Sequence, residues 1–327
     1  MSQRRALVTG ITGQDGSYLS ELLVADGTEV HGFVVPGDPQ LDALKALVPD
    51  VIVHDGDLSS FDSVQAAVDA SEPDEIYHLA AASSVAASWE DPVLTSDLNG
   101  TGSVRVLDAA KRFGQSRGRA PRVLLCSTAE MFGHPAHSPQ NESTPIEPVS
   151  PYGVVKAFAH RMAQVSRSHG QHVSTVILYN HESPRRPDTF VTRKITKAAA
   201  RIARGSTEPL QLGNMSARRD WGFAGDYVKA MVAALRHEQP EDFVIATGVS
   251  HSIEDFVVAA FAAAGIDNWQ SHVAVDESLL RPNDPADFVG DASKARSVLG
   301  WAPEVDFEGL VTMMVNHDLE IMDSVSA

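Results

Sequence analysis

Along the first half of the chain, short apolar runs alternate with longer stretches in which apolar residues return every three or four positions. The runs RALVTG, EVHGFVV, DVIVHDGD, EIYHLAAA, RVLLCST and STVILYN are rich in Val, Ile and Leu and predict buried β-strands. The stretches DGSYLSELLVADG, FDSVQAAVDAS, GTGSVRVLDAAKRFG and PYGVVKAFAHRMAQVSRSHG predict amphipathic helices between them. This alternation specifies an α/β chain with a Rossmann-type doubly wound parallel sheet, helices on both faces and right-handed crossovers. After residue 181 the rhythm loosens: segments 190–205 and 224–238 predict helices, EDFVIATG a strand and SIEDFVVAAFAAAG a further helix. Residues 1–180 are thus expected to form the Rossmann domain. Residues 181–327 are expected to form a smaller mixed α/β substrate-binding lobe, partly interleaved with the end of the sheet.

The first predicted strand runs into GITGQDG, with Gly10, Gly13 and Gly16 three apart. A loose turn accounts for such glycines, and so does a phosphate cradle. In a cradle, Gly10 permits the tight turn, Gly13 lets backbone N–H groups approach a pyrophosphate, and Gly16 lets helix pack on strand. The loop's place at the first strand–helix junction favours the cradle, although the spacing is not the commoner G-x-G-x-x-G. A dinucleotide bound there needs a partner for its adenosine ribose near the end of the second strand. An acid suits NAD, and an arginine suits the 2′-phosphate of NADP. HGFVVPGDPQ has no arginine and offers Asp38 as the nearest acid, which leaves both cofactors open. Asp57, after the third strand, is placed to accept a hydrogen bond from an adenine amino group.

Charge narrows the class of ligand. A formal net charge of −17 argues against a nucleic-acid partner, which needs a concentrated basic face. Positive charge nevertheless gathers in SPRRP at 183–187, TRK at 192–194 and ARRDWG at 217–222, a pattern suited to a small phosphorylated ligand. No apolar run approaches the roughly 18–20 residues of a membrane span. The N-terminus leads directly into a strand-like segment with no signal-peptide core, and the single cysteine, Cys126, excludes an intrachain disulfide framework. Together these features predict a cytoplasmic protein with no membrane partner. No metal site is expected.

SPYGVVKAF carries the candidate chemistry. Tyr152 and Lys156 stand four apart on a predicted helix and share a face, where a lysine ammonium lowers the pKa of a neighbouring phenol and makes it a proton acceptor. CSTAEMFG follows a predicted buried strand, which puts Ser127, Thr128 and Glu130 at the carboxyl edge where open α/β sheets bind ligands. A hydroxyl there can bond a substrate oxygen, and a carboxylate can serve as base.

The motifs GITGQDGSYL, EPDEIYHLAA, STAEMFG, SPYGVVK, YNHESPRR, FVTRKIT, RRDWG, EDFVIATG and LGWAPEV occur in family order. On these the chain resembles the extended short-chain dehydrogenase/reductases that act on nucleotide sugars, and within them the GDP-mannose 4,6-dehydratase family. The resemblance spans nearly the whole chain and implies a mechanism. Tyr152, assisted by Lys156 and Thr128, takes the C4 hydroxyl proton as hydride passes to the nicotinamide. Glu130 then removes the C5 proton and helps water leave from C6, and hydride returns to C6 to give a 4-keto-6-deoxy sugar. The cofactor, NADP or NAD, is regenerated each turnover and stays bound.

Carried over residue by residue, the cofactor site comprises Gly10, Thr12, Gly13, Gln14, Asp15 and Gly16 from the first loop. Asp57 and Leu58, then Leu79, Ala80, Ala81 and Ser83, then Tyr152, Lys156, His181 and Arg186 complete it. The sugar nucleotide falls to Ser88, Glu130, Asn180, Val191, Lys194, Arg219 and Arg281. Three departures from the family stand out. Ala129 replaces a hydroxyl, which leaves a nucleotide-sugar 4-epimerase, 4-reductase or 4-oxidase open as the alternative. VVPGDPQL replaces an arginine- and serine-rich loop that binds the 2′-phosphate and reaches a neighbouring subunit, which favours a homodimer over a tetramer. Asn283 stands where related enzymes carry an acid. A non-catalytic NAD(P)-binding sensor is a remoter reading, at odds with intact Thr128, Tyr152 and Lys156.

Overall fold

Strands buried on both faces need a helix layer on each side, and that requirement organises the chain. The computed structural model describes residues 3–279 and 287–326. The first elements are β1 (Arg5–Thr9), α1 (Gln14–Ala25), β2 (Glu29–Val34), α2 (Leu41–Leu47), β3 (Ile52–Asp55), α3 (Phe61–Ser71) and β4 (Glu75–His78). Next come α4 (Val85–Glu90), α5 (Pro92–Thr95), α6 (Gly102–Arg117), β5 (Arg122–Thr128), α7 (Pro151–Ser168), β6 (Val173–Leu178) and β7 (Asn180–Glu182). The remainder are α8 (Val191–Ala203), β8 (Leu210–Leu212), β9 (Arg218–Phe223), α9 (Ala224–Arg236), β10 (Asp242–Ile245), β11 (Ser250–Ser252), α10 (Ile253–Ala263), β12 (Val273–Val275), β13 (Asp287–Phe288) and α11 (Phe307–Ser326).

Seven strands pair in the order β3-β2-β1-β4-β5-β6-β10, all parallel. Successive residues point to opposite faces, so Ala6 and Val8 of β1 join the core under α1 and α9, whereas Leu7 joins the core under α3, α6 and α7. The strand expected in EDFVIATG is β10, and it extends the main sheet beside β6. Helix α9 likewise packs Tyr227, Val228, Met231 and Leu235 into the sheet's core. The C-terminal half therefore supplies both a strand and a covering helix to the sheet. Sequence periodicity misses α2, α4 and α5, for a local reason: α2 buries Leu44 alone, and α5 is four residues long.

The rest of the C-terminal half surrounds a core of its own, with Ile195 and Ala199 from α8, Phe256 and Phe261 from α10, and Leu310 and Met314 from α11. Trp221 of β9 meets Phe256 edge-on at 5.3 Å between centroids. Arg193 of α8 and Asp318 of α11 form an ion pair inside this packing, with side chains 5% and 2% exposed. Among the described residues, no helix is long and apolar enough to cross a membrane.

An ion pair this deeply buried fixes α8 against α11 at a desolvation cost, so removing one partner strands the other. Asp318→Ala is expected to lower unfolding free energy by about 3–5 kcal/mol in urea titrations. The double change Arg193→Met with Asp318→Leu is expected to recover most of that loss.

Candidate active site

The glycine loop closes a tight turn between β1 and α1. Gly10 has φ +70°, and a Cβ there would lie 2.7 Å from Ala80 N, so the loop passes directly against the chain leaving β4. A Cβ on Gly16 would meet Gly10 O at 2.4 Å, which is the close helix-to-strand packing the sequence suggests. Gly13 caps α1 and meets nothing nearer than 3.3 Å, leaving the helix's first N–H groups approachable.

Buried polar contacts pin the opposite loop. Asn99 is 1% exposed; its Oδ1 accepts from Ala82 N at 2.7 Å, and its Nδ2 donates to Ala82 O at 2.9 Å. Behind it, the Ser103 hydroxyl donates to Asn99 O, so it accepts from His78 Nε2 at 3.1 Å. His78 Nδ1 then accepts from the Thr9 hydroxyl at 2.8 Å. Burial and the Lys156 ammonium drive the His78 pKa down to about 3, so the ring stays neutral and the chain of bonds has one direction.

Helix α7 delivers the candidate catalytic pair. Ser150 caps it by accepting from Gly153 N, and Pro151 opens it, which fixes Tyr152 in the first turn. Tyr152 and Lys156 are both buried and face a cleft of 1830 Å³, more than the roughly 300–1,000 Å³ of a single small-molecule site. Thr128, at the end of β5, and Glu130, in the short turn after it, line the same cleft. The electrostatics differ from the sequence expectation. Burial pushes the Tyr152 phenol well above its ordinary value, the Glu130 carboxylate adds to that, and a hydrogen bond from Thr128 opposes it. Lys156 donates to the Cys126 carbonyl, and burial lowers its own pKa. Beside Lys156, burial raises the Cys126 thiol to about 12.

The loop after β6 docks on the start of α1. His181 Nε2 pairs with Asp15 Oδ2 at 2.8 Å, Gln14 Nε2 donates to His181 O at 3.1 Å, and the Ser183 hydroxyl donates to Gln14 Oε1 at 2.8 Å. Burial works against both charges of the Asp15–His181 pair, yet mutual attraction wins: His181 is raised and Asp15 lowered. Arg186 pairs with buried Glu182 at 3.0 Å and stacks over Phe190.

All the expected cofactor residues line the one cleft, as do Glu130, Asn180, Val191, Lys194 and Arg219 of the expected sugar-nucleotide set. Ser88 does not. It is fully buried, and its hydroxyl donates to Val85 O and accepts from Tyr152 N at 3.2 Å, so it supports the start of α7 beneath the cleft. Arg281 and Asn283 lie outside the described residues. Of the arginine clusters, Arg185 is taken up by Glu21 and the Tyr18 ring, and Arg193 by Asp318, leaving Arg186, Lys194 and Arg219 on the cleft. The cleft also contains Trp89, Glu90, Gln211 and Asn214, which no sequence motif singled out.

A family model described as GDP-mannose 4,6 dehydratase matches residues 7–314. GDP-mannose 4,6 dehydratase 1 of Arabidopsis thaliana is 46% identical over 330 residues, covering 97% of this chain and 90% of that protein. The GDP-mannose 4,6 dehydratase of Homo sapiens is 39% identical, covering 97% of this chain and 92% of that protein. Among solved structures, UDP-glucose 4-epimerase of Thermotoga maritima shares the fold, with a TM-score of 0.87 at 22% identity, covering 97% of this chain and 99% of that chain. UDP-glucose 4-epimerase of Thermus thermophilus, solved with NAD, gives a TM-score of 0.81 at 27% identity, covering 96% of this chain and 98% of that chain.

The Asp15–His181 pair ties stability to pH. His181, raised above its ordinary 6.5, contributes fully below that pH and loses its contribution as pH rises through the raised value. Asp15, held below its ordinary 3.8, contributes above that pH and loses its contribution as pH falls through the lowered value. His181→Gln is therefore expected to cost about 1.5–3 kcal/mol near pH 5, with the gap to wild type narrowing in chemical denaturation as pH rises through the raised His181 value.

Proposed function

The chain belongs to the GDP-mannose 4,6-dehydratase family, and from that membership we propose that it is a nicotinamide-dependent hydro-lyase acting on GDP-mannose or a close GDP-sugar. The product is the 4-keto-6-deoxy sugar. One observation carries the reading: Glu130 shares the cleft with Tyr152 and Thr128 and lies near enough to raise the phenol's pKa. Chemistry confined to C4 has no use for that carboxylate. Elimination across C5 and C6 requires a base there.

The residues fit a dinucleotide, since Gly10 and Gly16 leave no space for a Cβ and Gly13 leaves the helix start approachable. We assign its pyrophosphate to the loop from Gly10 to Gly16, its adenosine to the side of Asp57 and Leu58, and its nicotinamide to the side of Tyr152, Lys156 and His181. When bound, NAD or NADP accepts hydride from C4 and returns it to C6, so it is regenerated and retained. Tyr152 accepts the C4 hydroxyl proton, and Thr128 bonds the same oxygen. Burial favours the neutral phenol and the Thr128 hydrogen bond and Arg186 charge oppose it, so its ionisation relies on further positive charge brought near it, a role we assign to Lys156 on the same helix. Glu130 takes the C5 proton made acidic by the C4 ketone. As the C5–C6 double bond forms and the C6–O bond breaks, Glu130 passes a proton to the departing oxygen, which leaves as water; once hydride has been returned to C6, the resulting enolate takes a solvent-derived proton at C5. Lys194 and Arg219 of the C-terminal lobe, residues 181–327, hold the diphosphate. A 4-epimerase, 4-reductase or 4-oxidase is the second reading, favoured by Ala129, whose methyl supplies no proton to the leaving oxygen.

The assembly we propose is a homodimer. Helix α7 turns Val154, Phe158 and Val165 outward, and neighbouring α4 and α5 add Trp89, Val93 and Leu94, all exposed. A contiguous apolar stripe of this kind suits an isologous contact with a second copy. We also propose a cytoplasmic location, since the one cysteine is buried and reduced and the fold needs no oxidising compartment.

Incubation with GDP-mannose in D₂O, followed by NMR, is expected to give the 4-keto-6-deoxy product with deuterium at C5. Oxidation or inversion at C4 without C5 exchange would favour the second reading. Glu130→Gln is expected to lower kcat by about 10²–10⁴-fold with little change in KM. For the assembly, light scattering should give twice the 35.0 kDa chain mass, and Val154→Glu with Phe158→Glu should reduce it to the monomer.

A further inference from the structure

We propose that Asp38 makes this site selective for NAD over NADP, an inference that rests on the dinucleotide reading above. Asp38 follows β2 and lines the cleft, half-buried. Its position is over-determined. Asp38 N donates to Val35 O at 3.1 Å, closing a turn with Pro36 and then Gly37 at φ +79° in its centre. Within the carboxylate, Oδ1 accepts from Gln40 N at 2.8 Å and Oδ2 accepts from the Thr12 hydroxyl at 2.7 Å. Thr12 belongs to the glycine loop itself, so this bond sets the carboxylate in fixed register with the pyrophosphate cradle. Each oxygen retains acceptor capacity for one more donor.

The surrounding charge decides which ribose such a group accepts. A second carboxylate, Asp57, follows the neighbouring strand β3 and lines the same part of the cleft. Among the described residues, the cleft's lysines and arginines are Lys156, Arg186, Lys194 and Arg219, which all come from α7 or later in the chain, as does His181, already paired with Asp15. None stands on the loops after β2 or β3. A ribose 2′-hydroxyl can donate to Asp38. A 2′-phosphate brings close to two negative charges against two carboxylates and meets no lysine or arginine on either loop; the nearby Arg105 of α6 lies outside the cleft lining and is engaged by Leu58 O and Asp97 Oδ1.

The test reads binding rather than turnover. The dinucleotide released from the purified protein by acid is identified by mass spectrometry, and the stripped protein is then titrated with NAD⁺ and NADP⁺ by calorimetry. The expected result is NAD in the released pool and at least about tenfold tighter binding of NAD⁺. Asp38→Asn keeps the shape and removes the charge, and should narrow that ratio about tenfold by admitting NADP⁺. Thr12→Val, which leaves the carboxylate in place but held only by Gln40 N, should weaken NAD⁺ and still exclude NADP⁺. Equal or tighter binding of NADP⁺ by wild type, or a ratio unmoved in Asp38→Asn, overturns the inference and leaves the dehydratase reading standing. Failure to bind either dinucleotide overturns both.

Discussion

The backbone of Gly10 runs so close to Ala80 that a single methyl group on it would sit 2.7 Å from Ala80 N. That contact marks the place where the strand order reverses. The chain moves outward from β1 to β2 and β3, then returns to lay β4 on the other side of β1. The loops leaving β1 and β4 therefore diverge, and the space between them becomes the cleft. Every other feature of the site is built against this crevice. Asn99 and the Thr9–His78–Ser103 chain hold the β4 side, while Gln14 and Asp15 hold the later loop at His181. Polar side chains buried this fully are worth having when all their bonds are made, and here they make a rigid frame from two loops that would otherwise be free to move.

The cleft's lysines and arginines are confined to one side of that frame. Asp38 and Asp57 stand on the side of β2 and β3, and the cleft's cations stand on the side of α7, β7, α8 and β9. An acidic chain can therefore bind two anionic ligands in one cleft without a basic surface. Most of the arginines that crowd the 183–219 stretch serve another purpose. Arg185 fastens the post-β7 loop to α1 through Glu21, Arg193 fastens α8 to α11, and Arg218 bonds Ser250 across β9 and β11. The clustering in sequence reflects a segment that must be tied to several elements at once, and Arg186, Lys194 and Arg219 are the minority that face the cleft.

This is why the fold was more legible than the site. The inner strands β1, β4, β5 and β6 are buried almost throughout and so read as short apolar-rich runs, whereas the edge strand β3 is partly exposed, and the longer helices between them read by period. Helices α4 and α5 escaped because short segments carry little periodicity, and β10 was visible as a strand without any sign of the sheet it joins. Among site residues, Gly10, Tyr152 and Lys156 announce themselves through spacing that geometry requires. Ser88 was misplaced for the opposite reason. A serine in the right stretch can face a ligand or a backbone amide, and its burial beneath Tyr152 is a tertiary fact. Trp89 and Gln211 reach the cleft from elements too short to be read, and Asn214 from the connection after β8.

Helix α7 shows how closely these demands can be packed. Tyr152, Val155, Lys156 and Ala159 are buried, the first and third facing the cleft and Ala159 packing into the sheet's core. Val154, Phe158 and Val165 look outward instead. With 18 residues and 3.6 per turn, no face is left unassigned. The Tyr152 phenol consequently sits in a wall that the sheet holds from one side and the apolar stripe can hold from the other. Its burial, which makes ionisation costly, also keeps it in one orientation. The same packing that raises its pKa therefore favours the neutral phenol until positive charge is brought near it.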